Sequence, residues 1–183
     1  MMLDMHLSIP GRSVIAVVVV GILLAGCSGS PAPASQAPSS DAQVVQANIA
    51  TFDDLDFNVF SNQKWDELHR SHAKDILVHW PDGHTTTGIE RHIEDLKAMF
   101  VYAPDTRIKV HPVKFGSGEW TSVIGEMEGT FTKPMPTPDG KMIPPTGKAF
   151  KIPMCTVGRW RNGVMVEEYL FWDNQTYMKQ LGL

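Results

Sequence analysis

Apolar residues recur at intervals of three and four in two segments of the chain, which is the spacing of a helix that packs one face on a core. The first segment covers residues 43 to about 60, and Asp41 stands before it as a candidate N-cap. The second covers residues 89 to about 102, between Gly88 and Pro104. A shorter pattern over residues 64–69 predicts one more helical turn.

Apolar and β-branched runs fill most of the remaining chain and predict strands. Asn162-Gly163 between two such runs predicts a tight hairpin, and a last helix is predicted after Asp173. The strands are predicted at residues 76–80, 85–87, 107–115, 120–131, 148–160 and 163–173. Helices gathered on one face of a curved antiparallel sheet make an α+β fold, and a strongly bent sheet leaves a cone-shaped cavity that can hold a ligand.

The first 26 residues have the pattern of an export signal. Arg12 precedes an apolar run of about 12 residues, whereas a membrane-spanning helix needs roughly 20. The junction Leu24-Ala25-Gly26-Cys27 resembles the lipobox of bacterial lipoproteins, in which the cysteine is lipidated after cleavage. An ordinary cleaved signal with a chance cysteine is the alternative. The first interpretation predicts an extracytoplasmic protein of the cell envelope, anchored to a membrane through Cys27.

Residues 27–42 are rich in Ser, Pro and Ala and predict a tether, so residues 43–183 remain for one domain. The 183-residue chain has a net charge of −4 and no basic stripe, which argues against nucleic acid as a partner. It has two cysteines. If Cys27 carries lipid, Cys155 has no partner, so we expect neither a disulfide nor a thiolate metal site.

Several short segments together carry a resemblance to a known family. They are His79 after an apolar strand, Gly88 before the middle helix, the segment 103–107, Gly125 with 129–131, the segment 143–148, and a tail from Gly163 through Glu167-Glu168-Tyr169 and Asp173 to Gln180-Leu181-Gly182. Their order and spacing resemble the SnoaL-like polyketide cyclases and ester cyclases of the nuclear-transport-factor-2-like (NTF2-like) superfamily.

The resemblance implies a cone-shaped α+β barrel with a deep apolar pocket, often a homodimer. The family's characterised cyclases close a ring by intramolecular aldol condensation without metal or organic cofactor, and an acid of the last long strand is their general acid/base. Asp173 occupies that position here. The chain departs from the family in having Tyr169 where many relatives have Trp, and in a longer loop between Phe131 and Ile143. An exported member is expected to act outside polyketide assembly.

Strand alternation connects Asp173 with a candidate pocket. If Asp173 faces inward, Phe171, Tyr169, Glu167 and Met165 face inward too, and a carboxyl group among aromatic rings is suited to proton transfer. Asp173 as the N-cap of the last helix is the alternative. The residues that we expect to line the pocket are Tyr169, Phe171, Trp80, Met127 and Met154.

Two histidines are further catalytic candidates, because histidine exchanges protons near neutral pH. His79 stands near a strand end and His111 on a predicted strand, and a surface position is the alternative for both. His69 and His72 are three residues apart, with His84 and His92 farther on. A metal site is not expected, because the segment after His69 resembles a helix end, where histidine is favoured by the helix dipole.

These observations favour a lipid-anchored acid/base enzyme of the cyclase or isomerase type that needs no cofactor. Its substrate is expected to be a small apolar carbonyl compound, and Asp173 is expected to move the proton. A non-catalytic lipoprotein that holds a hydrophobic ligand in the same cavity is the alternative. A third interpretation assigns the last strand, which is apolar on both faces, to dimer assembly.

Overall fold

The computed structural model describes residues 40–183. The predicted signal peptide, Cys27 and most of the predicted tether lie outside the described residues. None of the helices in 40–183 is long and apolar enough to cross a membrane.

Three α-helices, one π-helical turn and one 3-10 turn make up the helical part of the described residues. Helix α1 covers Ser40–Asp54 and begins before the predicted start at residue 43. It continues directly as a π-helical turn over Leu55–Phe60, and a 3-10 turn follows over Trp65–Arg70. Helices α2 (Ile89–Tyr102) and α3 (Asn174–Leu181) lie where the sequence predicts them.

Seven strands form one mixed sheet. They are β1 (His72–His79), β2 (Thr85–Thr87), β3 (Arg107–Ile108), β4 (Val113–Ser117), β5 (Trp120–Thr130), β8 (Ala149–Arg161) and β9 (Val164–Phe171), with β6 (Met135–Pro136) and β7 (Met142–Ile143) as a separate ribbon. The sheet order is β2-β1-β9-β8-β5-β3, and β4 also pairs with β5. The prediction of a wholly antiparallel sheet is wrong in one place, because β1 and β9 run parallel.

The predicted strand over 107–115 is broken into β3 and β4. Both pair with β5, and the residues between them leave the ladder opposite Gly125. A Cβ atom on Gly125 would lie 3.1 Å from Ile108 Cγ2 and 3.3 Å from His111 Cδ2. The missing side chain of Gly125 therefore gives His111 room to turn inward.

A β-bulge in β9 decides which side chains face the helices. Arg159 pairs with Glu167 and Trp160 with Met165, so Val166 is an extra residue on β9. Glu168 and Leu170 consequently share the buried face with Met165. Glu167 and Tyr169 lie on the other face.

The core consists of two apolar clusters between the helices and the sheet. One cluster includes Phe52, Leu68 and Met165, and the other includes Phe131, Met127 and Leu181. Each of these side chains is almost fully buried. The clusters meet beside Leu96 and Trp172, and this junction contains the cavity described below.

Candidate functional site

A small, mostly apolar cavity lies between α2, the π-helical turn and the inner face of the sheet. Its volume is about 520 Å³ including the mouth, and the centre of a water molecule can occupy about 50 Å³ of it. Apolar side chains make most of the wall: Leu55, Phe60, Trp80, Leu96, Met99, Ile108, Met127, Met154, Leu170 and Trp172. The polar side chains at the cavity are Asp56, His72, His92, Asp95, Thr156 and Glu168.

Three of these polar side chains converge from three different elements. Glu168 comes from β9, His72 from the start of β1 and His92 from the first turns of α2. Glu168 Oε2 lies 3.3 Å from His92 Nε2 and 3.8 Å from His72 Nε2. All three side chains are at most 5% exposed. We call these three residues the inner cluster.

Burial and mutual proximity perturb the inner cluster electrostatically. Burial opposes the charge on the Glu168 carboxylate, and protonation of the neighbouring imidazoles would favour that charge. Burial lowers the pKa of His92 to about 4, against a smaller opposing effect of Glu168. His92 is therefore a neutral ring at physiological pH.

A second polar chain connects the cavity with the protein surface. Asp56, on the π-helical turn, accepts a 2.8 Å hydrogen bond at Oδ2 from His111 Nε2. His111 Nδ1 donates to Asp53 Oδ1, also over 2.8 Å, and Asp53 contacts the exposed Lys114 ammonium. The His111 ring itself is fully buried between Phe52 and Phe57. We call Asp53, His111 and Asp56 the relay.

The relay holds a proton between two carboxyl groups. Burial raises the pKa of Asp56, although His111 opposes the effect. Burial lowers the pKa of His111, but the Asp56 and Asp53 carboxylates together raise it above its usual value. Lys114 and His111 outweigh burial at Asp53 and lower its pKa. His111 and Asp56 are thus a buried, hydrogen-bonded acid/base pair beside the cavity, which suits proton transfer.

Asp173 does not lie in the cavity, so its predicted place in a dry pocket is wrong. It is exposed, and its carboxylate accepts hydrogen bonds from the Gln175 and Thr176 amides and from the Thr176 hydroxyl. These bonds lower its pKa, the Thr176 hydroxyl most of all. Asp173 is the N-cap of α3, which is the alternative that the sequence left open.

Two predicted pocket residues and one predicted catalytic histidine lie on the outer face of the sheet. Tyr169 stacks on His79 with ring centroids 3.9 Å apart, and Phe171 is 52% exposed. His79 Nε2 bonds Glu167 Oε1 over 3.1 Å. The prediction that Tyr169 and Phe171 line the pocket is wrong, because the bulge in β9 turns them outward. Trp80, Met127 and Met154 do line the cavity.

The predicted catalytic His111 lies beside the cavity rather than on its wall, and reaches it through Asp56. The expected helix end is present at Arg70, with His69 in its last turn, but His72 starts β1 and has no dipole role. Sequence reasoning missed Asp56, His92 and Glu168 as site residues. A signal was present for each of them, because each interrupts an apolar stripe.

Comparison with protein families and solved structures shows which known proteins share this architecture. The family model described as SnoaL-like polyketide cyclase matches residues 55–181, which is more than half of the chain. The match begins at the π-helical turn and ends with α3, so it includes Asp56 and the inner cluster. A search of curated proteins found no match.

Several solved structures share the fold at low sequence identity. A protein described as a SnoaL-like polyketide cyclase from Jannaschia sp. CCS1 is 19% identical with a TM-score of 0.67, over 80% of this chain and 97% of that one. IdmH from Streptomyces antibioticus, described as a polyketide cyclase, is 22% identical with a TM-score of 0.63, over 74% and 99%. An NTF2-like protein of unknown function from Burkholderia pseudomallei K96243 is 17% identical with a TM-score of 0.60, over 75% and 98%. The predicted α+β, NTF2-like fold is confirmed, with a sheet that is not closed into a barrel.

Proposed function

Since the chain belongs to the SnoaL-like polyketide cyclase family, we propose that it is an acid/base enzyme of the cyclase or isomerase type that works in the inner cavity. The substrate class is a small apolar compound, because the wall is mostly apolar and the volume is small, and the match to the cyclase family supports a carbonyl group on that compound. Asp56, and not Asp173, is the group that moves the proton. The observation that carries the proposal is the relay, which connects a carboxyl at the cavity wall with a buried histidine.

The contacts of Asp56 support this assignment. Its Oδ2 accepts the hydrogen bond from His111, so Oδ1 is left for a ligand. Oδ1 would remove a proton from the carbon next to the substrate carbonyl and form an enolate. In a ring closure, the enolate carbon attacks a second carbonyl carbon of the same molecule, and the resulting alkoxide takes the proton back. The hydrogen bond from His111 stabilises the carboxylate form of Asp56 before the first step and after the second.

Exchange of hydrogen for deuterium tests the proposal without knowledge of the natural substrate. The full-length protein is incubated in D₂O with a panel of small apolar ketones, and NMR follows the loss of the protons next to the carbonyl. We expect protein-dependent exchange that falls by about 10²- to 10⁴-fold in Asp56→Asn, because a general base contributes about that much.

Asp173→Asn is the matched control for the exchange experiment. It is the same chemical change at an exposed carboxylate, and asparagine is as good an N-cap as aspartate. We expect exchange to be unchanged in this variant. Loss of exchange in Asp173→Asn, with full exchange in Asp56→Asn, would return the catalytic role to the residue that the family resemblance indicates.

A second candidate function is binding without chemistry. The exposed position of Asp173, the acid that the family resemblance assigns to catalysis, is the observation that favours it. In that case the cavity holds a small apolar ligand and the relay only stabilises the fold. Ketones would then raise the melting temperature of the protein while their protons did not exchange in D₂O.

We also propose that the protein acts in the cell envelope, held to a membrane by lipid on Cys27. The lipobox-like sequence supports this, and detergent phase partition of wild type against Cys27→Ser would test it.

A homodimer through the outer face of the sheet is proposed on the exposure of Phe115, Trp120 and Phe171, which are 63%, 40% and 52% exposed. Sedimentation of the full-length protein in detergent would test the dimer.

A further inference from the structure

The inner cluster leaves buried polar atoms without partners. Among the described residues, His72 Nε2, His92 Nδ1 and Glu168 Oε2 are buried and have no hydrogen bond, and the only other such side-chain atom is Arg159 Nε. An unmade hydrogen bond at a buried polar atom is costly, so native proteins rarely keep several together without an unseen occupant. His72 Nε2 and Glu168 Oε2 face the same small gap.

The hydrogen bonds of His72 fix which of its nitrogens faces that gap with a lone pair. The Ser71 hydroxyl donates to the Leu68 carbonyl over 3.1 Å. It therefore accepts from His72 Nδ1, which lies 2.9 Å away. With its proton on Nδ1, His72 presents an unprotonated Nε2 to Glu168. A neighbour that orients the other nitrogen in this way is the usual arrangement around a metal-binding histidine.

The distances in the inner cluster suit metal ligands better than hydrogen bonds. Glu168 Oε2 is 3.3 and 3.8 Å from the two Nε2 atoms, and neither contact makes a hydrogen bond. The three potential ligand atoms lie within 4.8 Å of one another. A tetrahedral ion with bonds of about 2.0–2.1 Å holds its ligand atoms about 3.3 Å apart. The Glu168–His92 pair already has that separation, and the other two pairs, at 3.8 Å and at most 4.8 Å, would move closer when an ion binds.

We propose that His72, His92 and Glu168 bind one divalent transition-metal ion of the zinc type in the inner cavity. Two histidines and one carboxylate are a ligand set that zinc and iron(II) sites use, with further positions left open. The open position here faces the cavity, where there is room for a water molecule or a ligand oxygen. Metal binding itself does not depend on the proposed acid/base chemistry. One consequence does rest on it, namely that the ion would polarise the carbonyl oxygen of the substrate.

Metal titration of the full-length protein tests the inference without an activity assay. The protein is stripped with a chelator, dialysed, and titrated with Zn²⁺ by calorimetry and with Co²⁺ by visible absorption. We expect one tight equivalent, a Co²⁺ spectrum of a site with low coordination number, and a higher melting temperature with Zn²⁺. Glu168→Gln and His92→Gln should each weaken the tight site by about 100-fold or more, because each removes one of three ligands.

The outer face supplies matched controls on the same two strands. His79→Gln and Glu167→Gln change a histidine and a glutamate that already bond each other, and they should leave the tight site unchanged. The absence of a stoichiometric site in wild type would overturn the inference. Tight binding that survives Glu168→Gln would do so too, because the ion would then sit on surface groups. Circular dichroism would show whether the Gln variants are folded. Loss of binding in a folded variant can then be attributed to the missing ligand.

The outcome is separable from that of the proposed function. If Zn²⁺ binds tightly but Asp56→Asn keeps full deuterium exchange, the metal site stands and the role of Asp56 fails. If no metal binds and Asp56→Asn abolishes exchange, the acid/base role stands and the metal site fails.

Discussion

Strands β1 and β9 carry a histidine–glutamate pair on each face of the sheet, and the two pairs differ in their surroundings. The outer pair, His79 and Glu167, is 30% and 14% exposed and makes a 3.1 Å hydrogen bond. The inner pair, His72 and Glu168, is 1% and 5% exposed, and its polar atoms are 3.8 Å apart without a bond. The same two residue types on the same two strands thus form a hydrogen bond on the outer face and none on the inner face.

Neighbouring side chains complete the hydrogen bonding of the outer pair. Glu167 accepts from the Tyr169 hydroxyl over 2.8 Å and contacts Arg159 over 3.0 Å. The Tyr169 bond is the main reason why the pKa of Glu167 is lowered. In the inner pair His72 Nδ1 bonds Ser71, but His72 Nε2 and Glu168 Oε2 face each other beside His92 and the cavity without a hydrogen bond. Residue identity therefore does not distinguish the two pairs, whereas unmet hydrogen-bonding capacity beside a cavity does.

The largest effect on stability is expected where a buried histidine already bonds carboxylates. His111→Ala would leave Asp53 and Asp56 without their common donor, and Asp56 is almost fully buried. Removal of one partner of such a buried pair costs about 3–5 kcal/mol. Urea unfolding at pH 7, followed by circular dichroism, measures the change.

His79→Ala is the outer-face control for His111→Ala. The His79 side chain is 30% exposed, and exposed ion pairs contribute at most about 1 kcal/mol. Equal losses in the two variants would contradict the distinction between the faces.

Much of the fold could be predicted from sequence, because the apolar period survives wherever one face of an element is buried. Helix α2 and the hairpin at Asn162-Gly163 show this, and both hairpin residues have positive φ, 51° and 80°. The inward face of β9 could not be predicted. Both faces of that strand are apolar, so alternation did not distinguish them, and the bulge at Val166 shifts the phase.

The convergence of the inner cluster could not be predicted from sequence for a related reason. Its members come from β1, α2 and β9, and only the sheet register with the packing of α2 brings them together. Glu168 nevertheless interrupts the stripe that includes Leu170 and Trp172. A lone acid in an apolar stripe is a better indicator of a buried functional group than an acid at a strand end, where an N-cap role competes.

The next largest effect is expected in the pH dependence of stability, which differs between the buried His111 and the outer face. The pKa of His111 is raised above 6.5 by Asp56 and Asp53, so its contribution is fully present below about pH 6.5 and is lost as the pH rises through the folded value. Asp56, with a pKa raised above 3.8, acts in the same direction.

Urea unfolding from pH 5 to pH 10 measures this dependence. We expect the free energy of unfolding of wild type to fall above neutral pH. In His111→Gln the loss that begins above about pH 6.5 should be smaller, because the histidine whose pKa is raised in the folded protein is absent. Identical pH profiles in the two proteins would contradict the raised pKa of His111.

The smallest effect is expected at Asp173, which lies exposed between β9 and α3. Asp173→Ala removes the acceptor for the Gln175 and Thr176 amides, so the first turn of α3 loses its cap. Loss of a cap in a domain of this size should lower the melting temperature by about 3–5 °C, whereas Asp173→Asn should lower it by less than about 1 °C. Differential scanning calorimetry distinguishes these values. A larger loss in Asp173→Asn than in Asp173→Ala would show that the carboxylate charge matters beyond the cap. That result would reopen a chemical role for Asp173, although the residue lies outside the cavity.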